Sequence, residues 1–174
     1  GDDCTIDNPR HADARRNRAK VLAAARRVFA RDGLDAQMDD IARRAGVGVG
    51  TVYRHFPNKI DLLTALAEEK FDGLADAARA GLAAEDAWDG LVQFMTYAAR
   101  TMAEDRALGE AMGQQPGLCA AAAERAGLGP LTANLVAKAQ AHGRLRADIV
   151  GEDIPALVCG IGRAVDADSG QPTM

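Results

Sequence analysis

Residues 38–59 read Met-Asp-Asp-Ile-Ala-Arg-Arg-Ala-Gly-Val-Gly-Val-Gly-Thr-Val-Tyr-Arg-His-Phe-Pro-Asn-Lys. This stretch restricts the fold more than any other, because it fits two short helices joined by a tight turn. Ile41 and Ala45 stand one helical turn apart and are expected to point inward, with small Ala42 letting a crossing helix come close. Gly46 falls at the turn, where a positive φ is cheap only for glycine, and Val47 plugs the corner. Val52 and Phe56 repeat the i, i+4 spacing on the second short helix. Pro57 ends it, since the residue before a proline is pushed out of the α region.

At about 100° per residue, a helix that seats Val52 and Phe56 in a core turns Gly50, Thr51 and Arg54 away from it. Val49, Tyr53 and His55 fall on the flanks, and Gly48 serves as N-cap. Exposed Thr, Tyr, Arg and His on one short helix suit phosphates and base edges. Helix pairs with a glycine turn also occur in α-helical proteins that bind no nucleic acid, so the flanking residues matter. Asn58 is a good N-cap for the next helix, and Asp61 three residues on resembles a capping box. Lys59 sits at the positive end of that helix, beside where a phosphate would lie.

Upstream, Val21, Leu22, Ala25, Val28 and Phe29 form an apolar stripe at helical period, and Gly33 is a stop signal for that helix. Arg10, Arg15, Arg16, Arg18 and Lys20 cluster before and within its start, where basic side chains can follow a phosphate backbone. Residues 10–60 hold 12 Lys/Arg against 5 Asp/Glu, a balance of +7; residues 61–174 hold 9 against 17, a balance of −8. The overall charge of −4 therefore hides a basic front and an acidic rear, as expected of a chain that points one end at phosphate. Ordinary variation between solvated faces would look similar.

These residues resemble the TetR (tetracycline-repressor) family of bacterial transcription regulators, from about Arg15 to Leu66. Ile41-Ala42, Ala45-Gly46-Val47, Gly50-Thr51-Val52-Tyr53, His55-Phe56 and Lys59 carry the likeness; the remainder matches in length, helical pattern and Ala-rich texture. The resemblance implies an all-α fold. Residues 1–12 are expected to be a disordered arm, 13–58 a three-helix DNA-binding domain, and 59–174 a helical domain for ligand binding and dimerisation. It further implies that Thr51, Tyr53, His55 and Lys59 contact the DNA backbone, and that Val49, Gly50 and Arg54 lie nearest the bases. Arg15, Arg16 and Gly48 complete the candidate DNA-binding set. Many members carry Ser or Thr where Gly48 stands and Thr where Gln37 stands, so two capping hydroxyls are missing. The partners implied are a double-stranded operator, a small-molecule effector and a second copy of the chain.

Helix signals continue through the rear half. One helix is expected over about 59–80, with Ile60, Leu63, Ala67, Phe71, Leu74 and Ala78 inward and Gly81 as its stop. In the family this helix joins the two domains. Asp86 caps the next, whose inward stripe reads Trp88, Leu91, Val92, Met95, Ala99 and Met102, with Phe94 and Tyr97 flanking. Short pieces follow over 105–112 and 117–126, then a helix restarting at Gly129-Pro130 and running to Gly143, and a last one over 153–166 with Pro155 in its first turn. Phe71, Trp88, Phe94, Met95, Met102, Met112 and Cys119 are soft or large groups suited to an apolar ligand pocket, although such residues at helical spacing are ordinarily plain core. Ile154, Leu157, Val158, Ile161 and Val165, with Gly160 and Gly162, offer a dimerisation surface; the family pattern calls for one more helix beyond Met174.

Composition narrows the alternatives. Aromatics make up 4% of the chain and no β-branched run alternates for long, which favours helix packing over sheets. Cys4, Cys119 and Cys159 fit neither a disulfide framework nor a zinc site, and reduced cytoplasmic thiols suit them best. No apolar run reaches about 18 residues and no signal peptide is evident, so no membrane is expected. Gly46–Thr51 is glycine-rich like a nucleotide loop, but it follows a helix and lacks the closing Lys-Ser/Thr pair. His11, His55 and His142 lack metal-ligand spacing and no nucleophile has a base partner, so neither cofactor, metal nor catalysis is expected. The leading expectation is a ligand-responsive regulator, most often a repressor; the alternative is a small-molecule binding protein of the same fold without operator recognition.

Overall fold

Pro9 opens the first helix, where its fixed φ suits a first turn, and α1 runs Pro9–Asp32. The computed structural model describes residues 9–158. Helix therefore starts inside the segment expected to be a disordered arm, and an Arg16–Asp13 ion pair one turn apart supports that start. Val21, Leu22, Ala25, Val28 and Phe29 are buried as their spacing requires. Gly33, at φ 57°, ends α1 and leads into a short 3-10 turn. Helices α2 (Met38–Ala45) and α3 (Val49–His55) follow. Gly46 adopts φ 69°; its N–H reaches the Arg43 carbonyl and that of Val47 the Ala42 carbonyl, the Schellman arrangement that closes a helix with glycine. The inward face of α2 is Met38, Ile41 and Ala42; Ala45, expected inward, is only half-buried because it lies in the last turn beside the glycine.

The next helix, α4 (Lys59–Ala83), starts on Asn58, whose Oδ1 accepts the Asp61 N–H at 2.9 Å while its Nδ2 donates to the Asp61 carboxylate. The chain forms two compact units that divide between Leu66 and Ala67, within α4. The boundary expected after residue 58 thus lies two turns too early: Leu62, Leu63 and Leu66 are all fully buried, giving those turns an apolar face of their own. Ile60, expected inward, is 43% exposed.

The second unit continues with α5 (Ala87–Glu104), α6 (Arg106–Gly113), α7 (Leu118–Arg125) and α8 (Leu128–Ala141), and ends in helical residues 153–158. Asp86 caps α5 by accepting the N–H groups of Trp88 and Asp89, and those bonds hold its carboxyl below the usual carboxylate range. Two features of α4 and α5 correct the sequence reading. Gly81 does not stop α4. It lies where α4 and α5 touch backbone to backbone: a Cβ on Gly81 would stand 2.6 Å from the Gly90 carbonyl oxygen, and one on Gly90 2.1 Å from that of Gly81. The helix ends two residues later, where Lys138 Nζ donates to the Leu82 and Ala84 carbonyls at 2.8 Å. On α5 the buried stripe is Ala87, Leu91, Phe94 and Ala98, with Ala99 beside it, so Phe94 is core while Val92 is exposed; small residues carry much of the inner line and leave Trp88 and Met95 half-buried at its edge. Cys4, Cys159, Ile161, Val165, Gly160 and Gly162, and the last helix beyond residue 158, lie outside the described residues. Leu157, offered above for dimerisation, is exposed.

Among the described residues there is no strand, no cluster of metal-ligating side chains, and no helix long and apolar enough to cross a membrane.

Candidate nucleic-acid interface and ligand cavity

Helix α3 has two chemically distinct sides. Val52 and Phe56 are buried on one. On the other, Gly48, Val49, Gly50, Tyr53 and Arg54 are exposed, and Thr51 and His55 are half-buried beside them. Tyr53, at 47% exposure, keeps its hydroxyl clear of the core. Arg54 donates weakly to the Thr51 hydroxyl at 3.4 Å, so the guanidinium and the hydroxyl share one patch. The candidate residues on α3 therefore occupy its outer side and both flanks, fixed from behind by two apolar anchors.

Other basic residues are already engaged. Arg18 sets its guanidinium 5.2 Å from the centre of the Phe56 ring, tying α1 to the end of α3. Lys59, expected at a phosphate, donates through Nζ to the Leu34 carbonyl at 2.9 Å; two of its three protons remain available. Neither contact has a local signature, since each joins residues more than two dozen positions apart. Arg31 donates to Asp32, from Nε at 2.6 Å, and to Asp40, and those bonds raise its pKa. Arg43 pairs with the same Asp40 at 3.1 Å. Arg15 and Arg16 are exposed on α1, away from α3 in sequence, and Arg16 is held by Asp13. Neither Gln37 nor Gly48 supplies a side-chain cap to the helix that follows it.

The second unit contains an apolar cavity of about 610 Å³. Phe71, Phe94, Met102 and Cys119 line it, together with Leu74, Ala98, Thr132, Ile154 and others. Trp88, Met95 and Met112 are not in its wall: Trp88 and Met95 pack at the edge of the core, and Met112 is fully buried. Sequence reasoning favoured large, soft side chains and passed over Ala98, Ala120 and Ala123, whose smallness leaves the space. The available signal was the run of alanines on α7, with Cys119 and Ala123 one turn apart. Burial raises the pKa of the Cys119 thiol and keeps it neutral.

Two family models match in register with these units. Residues 21–66 match the bacterial regulatory proteins of the tetR family, and residues 86–173 the C-terminal domain of SbtR-like transcriptional regulators. A TetR transcription regulatory protein from Mycobacterium vanbaalenii, of known structure, is 42% identical, covers 92% of this chain and 98% of its own, and superposes with a TM-score of 0.69. The chain belongs to the TetR family of transcriptional regulators. An HTH-type transcriptional regulator of Pseudomonas putida, TtgW, is 36% identical over 85 residues, 48% of this chain and 63% of that protein. The HTH-type transcriptional repressor KstR of Mycolicibacterium smegmatis is 35% identical over 100 residues, 56% of this chain and 49% of KstR. The TetR chain described here thus spans about half to three-fifths of the length of these two curated relatives.

Proposed function

We propose that this TetR-family chain is a DNA-binding repressor that acts as a dimer on a pseudo-palindromic operator and is released by a small molecule held in its second unit. The observation that carries this reading is the two-sided α3: Val52 and Phe56 fix the helix while Thr51, Tyr53, Arg54 and His55 stay available. Val49, Gly50 and Arg54 are assigned to base edges in a major groove. Thr51, Tyr53 and His55 are assigned to the phosphates on either side, with Lys59 placed to add a charge. Two copies would set their α3 helices about 34 Å apart, one helical turn of DNA. The KstR relative, named as a repressor, supports that sign of regulation. The apolar cavity supports an effector site, and coupling of about 1–3 kcal/mol suffices to change operator occupancy.

The test begins with duplexes selected by the purified protein from a random pool. Tyr53→Ala with Arg54→Ala removes one phosphate and one base contact, and is expected to weaken binding about tenfold or more in fluorescence anisotropy. Unchanged affinity would overturn the reading. Lys59 is left intact in this variant because its bond to Leu34 also serves the fold. The uncapped starts of α2 and α3 favour a second reading, a ligand-binding protein of this fold that no longer recognises an operator. Failure to enrich any duplex would support it.

A further inference from the structure

The cavity wall is nearly all carbon, and among the described residues its polar side chains are Cys119, Thr132 and Glu152. Among the described residues no Lys, Arg or His lines it, whereas Glu152 does. The Thr132 hydroxyl spends its proton on the Leu128 and Gly129 carbonyls, at 3.1 and 2.9 Å, leaving only oxygen lone pairs. The Cys119 thiol is neutral. Lys70, whose field reaches Cys119, is not in the wall and is already partnered within the protein. At the first turn of α8, Pro130 faces the cavity without an N–H to offer. The one ionised side chain among these handles is therefore an acceptor, Glu152, with the Cys119 thiol as a weak donor beside it. Set beside Glu152, a carboxylate or phosphate would meet like charge, with no cation among the described wall residues to offset it.

Resting on the proposal that this unit holds the effector, we infer that the ligand is a largely hydrocarbon molecule ending in a hydrogen-bond donor, a hydroxyl or an ammonium group, which it sets against Glu152, and that it bears no anionic group. The volume suits a molecule of ordinary drug or lipid-fragment size. Glu152 is solvent-exposed, so the polar end of the ligand lies where the wall meets water and its chain lies among Leu74, Phe94 and Met102.

Three probes of one length separate the possibilities: dodecanol, dodecylammonium and dodecanoate, each below its micelle concentration and titrated calorimetrically into the full chain. Dodecanol and dodecylammonium are expected to bind, and dodecanoate at least tenfold more weakly. Glu152→Gln is expected to weaken dodecylammonium several-fold more than dodecanol, and so to abolish any preference for the ammonium, because the amide oxygen still accepts a hydrogen bond but carries no charge. Ala120→Phe, placed on an exposed part of the wall, is expected to weaken both. Equal or tighter binding of dodecanoate would overturn the inference and assign the polar end of the ligand to the first turn of α8. An undiminished ammonium preference in Glu152→Gln, or no binding of any probe, would overturn it as well. Anisotropy of bound operator, followed in parallel, separates this from the regulatory reading. Probes that bind with the stated preference and release no DNA would sink the latter alone, whereas dodecanoate that binds and releases DNA would sink only the former.

Discussion

A Cβ added to Gly50 would meet no protein atom within 4 Å, and the backbone there is ordinary helix. The fold does not need glycine at this position, and the proposed DNA contact would use the close backbone approach that glycine allows. Gly50→Ala is expected to leave stability unchanged or raise it by about 0.5–1 kcal/mol, the helix-propensity difference, while weakening duplex binding at least several-fold. Urea denaturation and anisotropy on the same sample check both halves. A variant of unchanged affinity would show that nothing comes close to this side of α3. The exposure of Gly50 and Arg54 was legible because it follows from the angle between each residue and two buried neighbours, whereas Thr51, expected beside them, is half-buried and Tyr53, expected on a flank, is exposed. The engagement of Lys59 with Leu34 and of Arg18 with Phe56 was not legible, because only the folded chain brings such distant positions together.

Among elements, the α4–α5 crossing is the most exacting contact of the second unit. Two glycines let the backbones meet, and the atom opposing each missing Cβ is a carbonyl oxygen that cannot rotate away. Gly90→Ala gains helix propensity yet forces the helices apart, and a net loss of about 2 kcal/mol is expected. A urea midpoint equal to or above that of the parent protein would contradict the close approach. Helix starts and stops were well marked in the sequence wherever the partners lie within one turn, as at Asn58 with Asp61, Asp86 with Trp88 and Asp89, and Gly46 with Ala42 and Arg43. Gly81 carries the same letter as a stop signal, and only its neighbour across the crossing gives it another meaning. The rotation of α5 was misjudged for a related reason. Its apolar residues form two adjacent lines, and which one faces inward depends on what packs against it. The cavity was harder still, since its wall draws on several elements and its space comes from side chains that are small.

For the molecule as a whole, the charge is divided along the chain more sharply than its sum of −4 suggests. Part of the front excess is spent internally, on Asp13, Asp32 and Asp40, so the cations left for phosphate are fewer than the sequence count. Duplex binding by the proposed repressor is expected to fall with salt, by about a hundredfold between 50 and 200 mM if four phosphates are neutralised. Measured affinities across that range check it, and a flat response would remove the electrostatic basis of the proposal. One further consequence comes from α4, which supplies the last residues of the first unit and the first of the second as a single helix of 25 residues. At 1.5 Å per residue it is a rod about 37 Å long. The division between the units therefore falls inside one unbroken run of helix, where the backbone is already hydrogen-bonded turn to turn, and not in a loop.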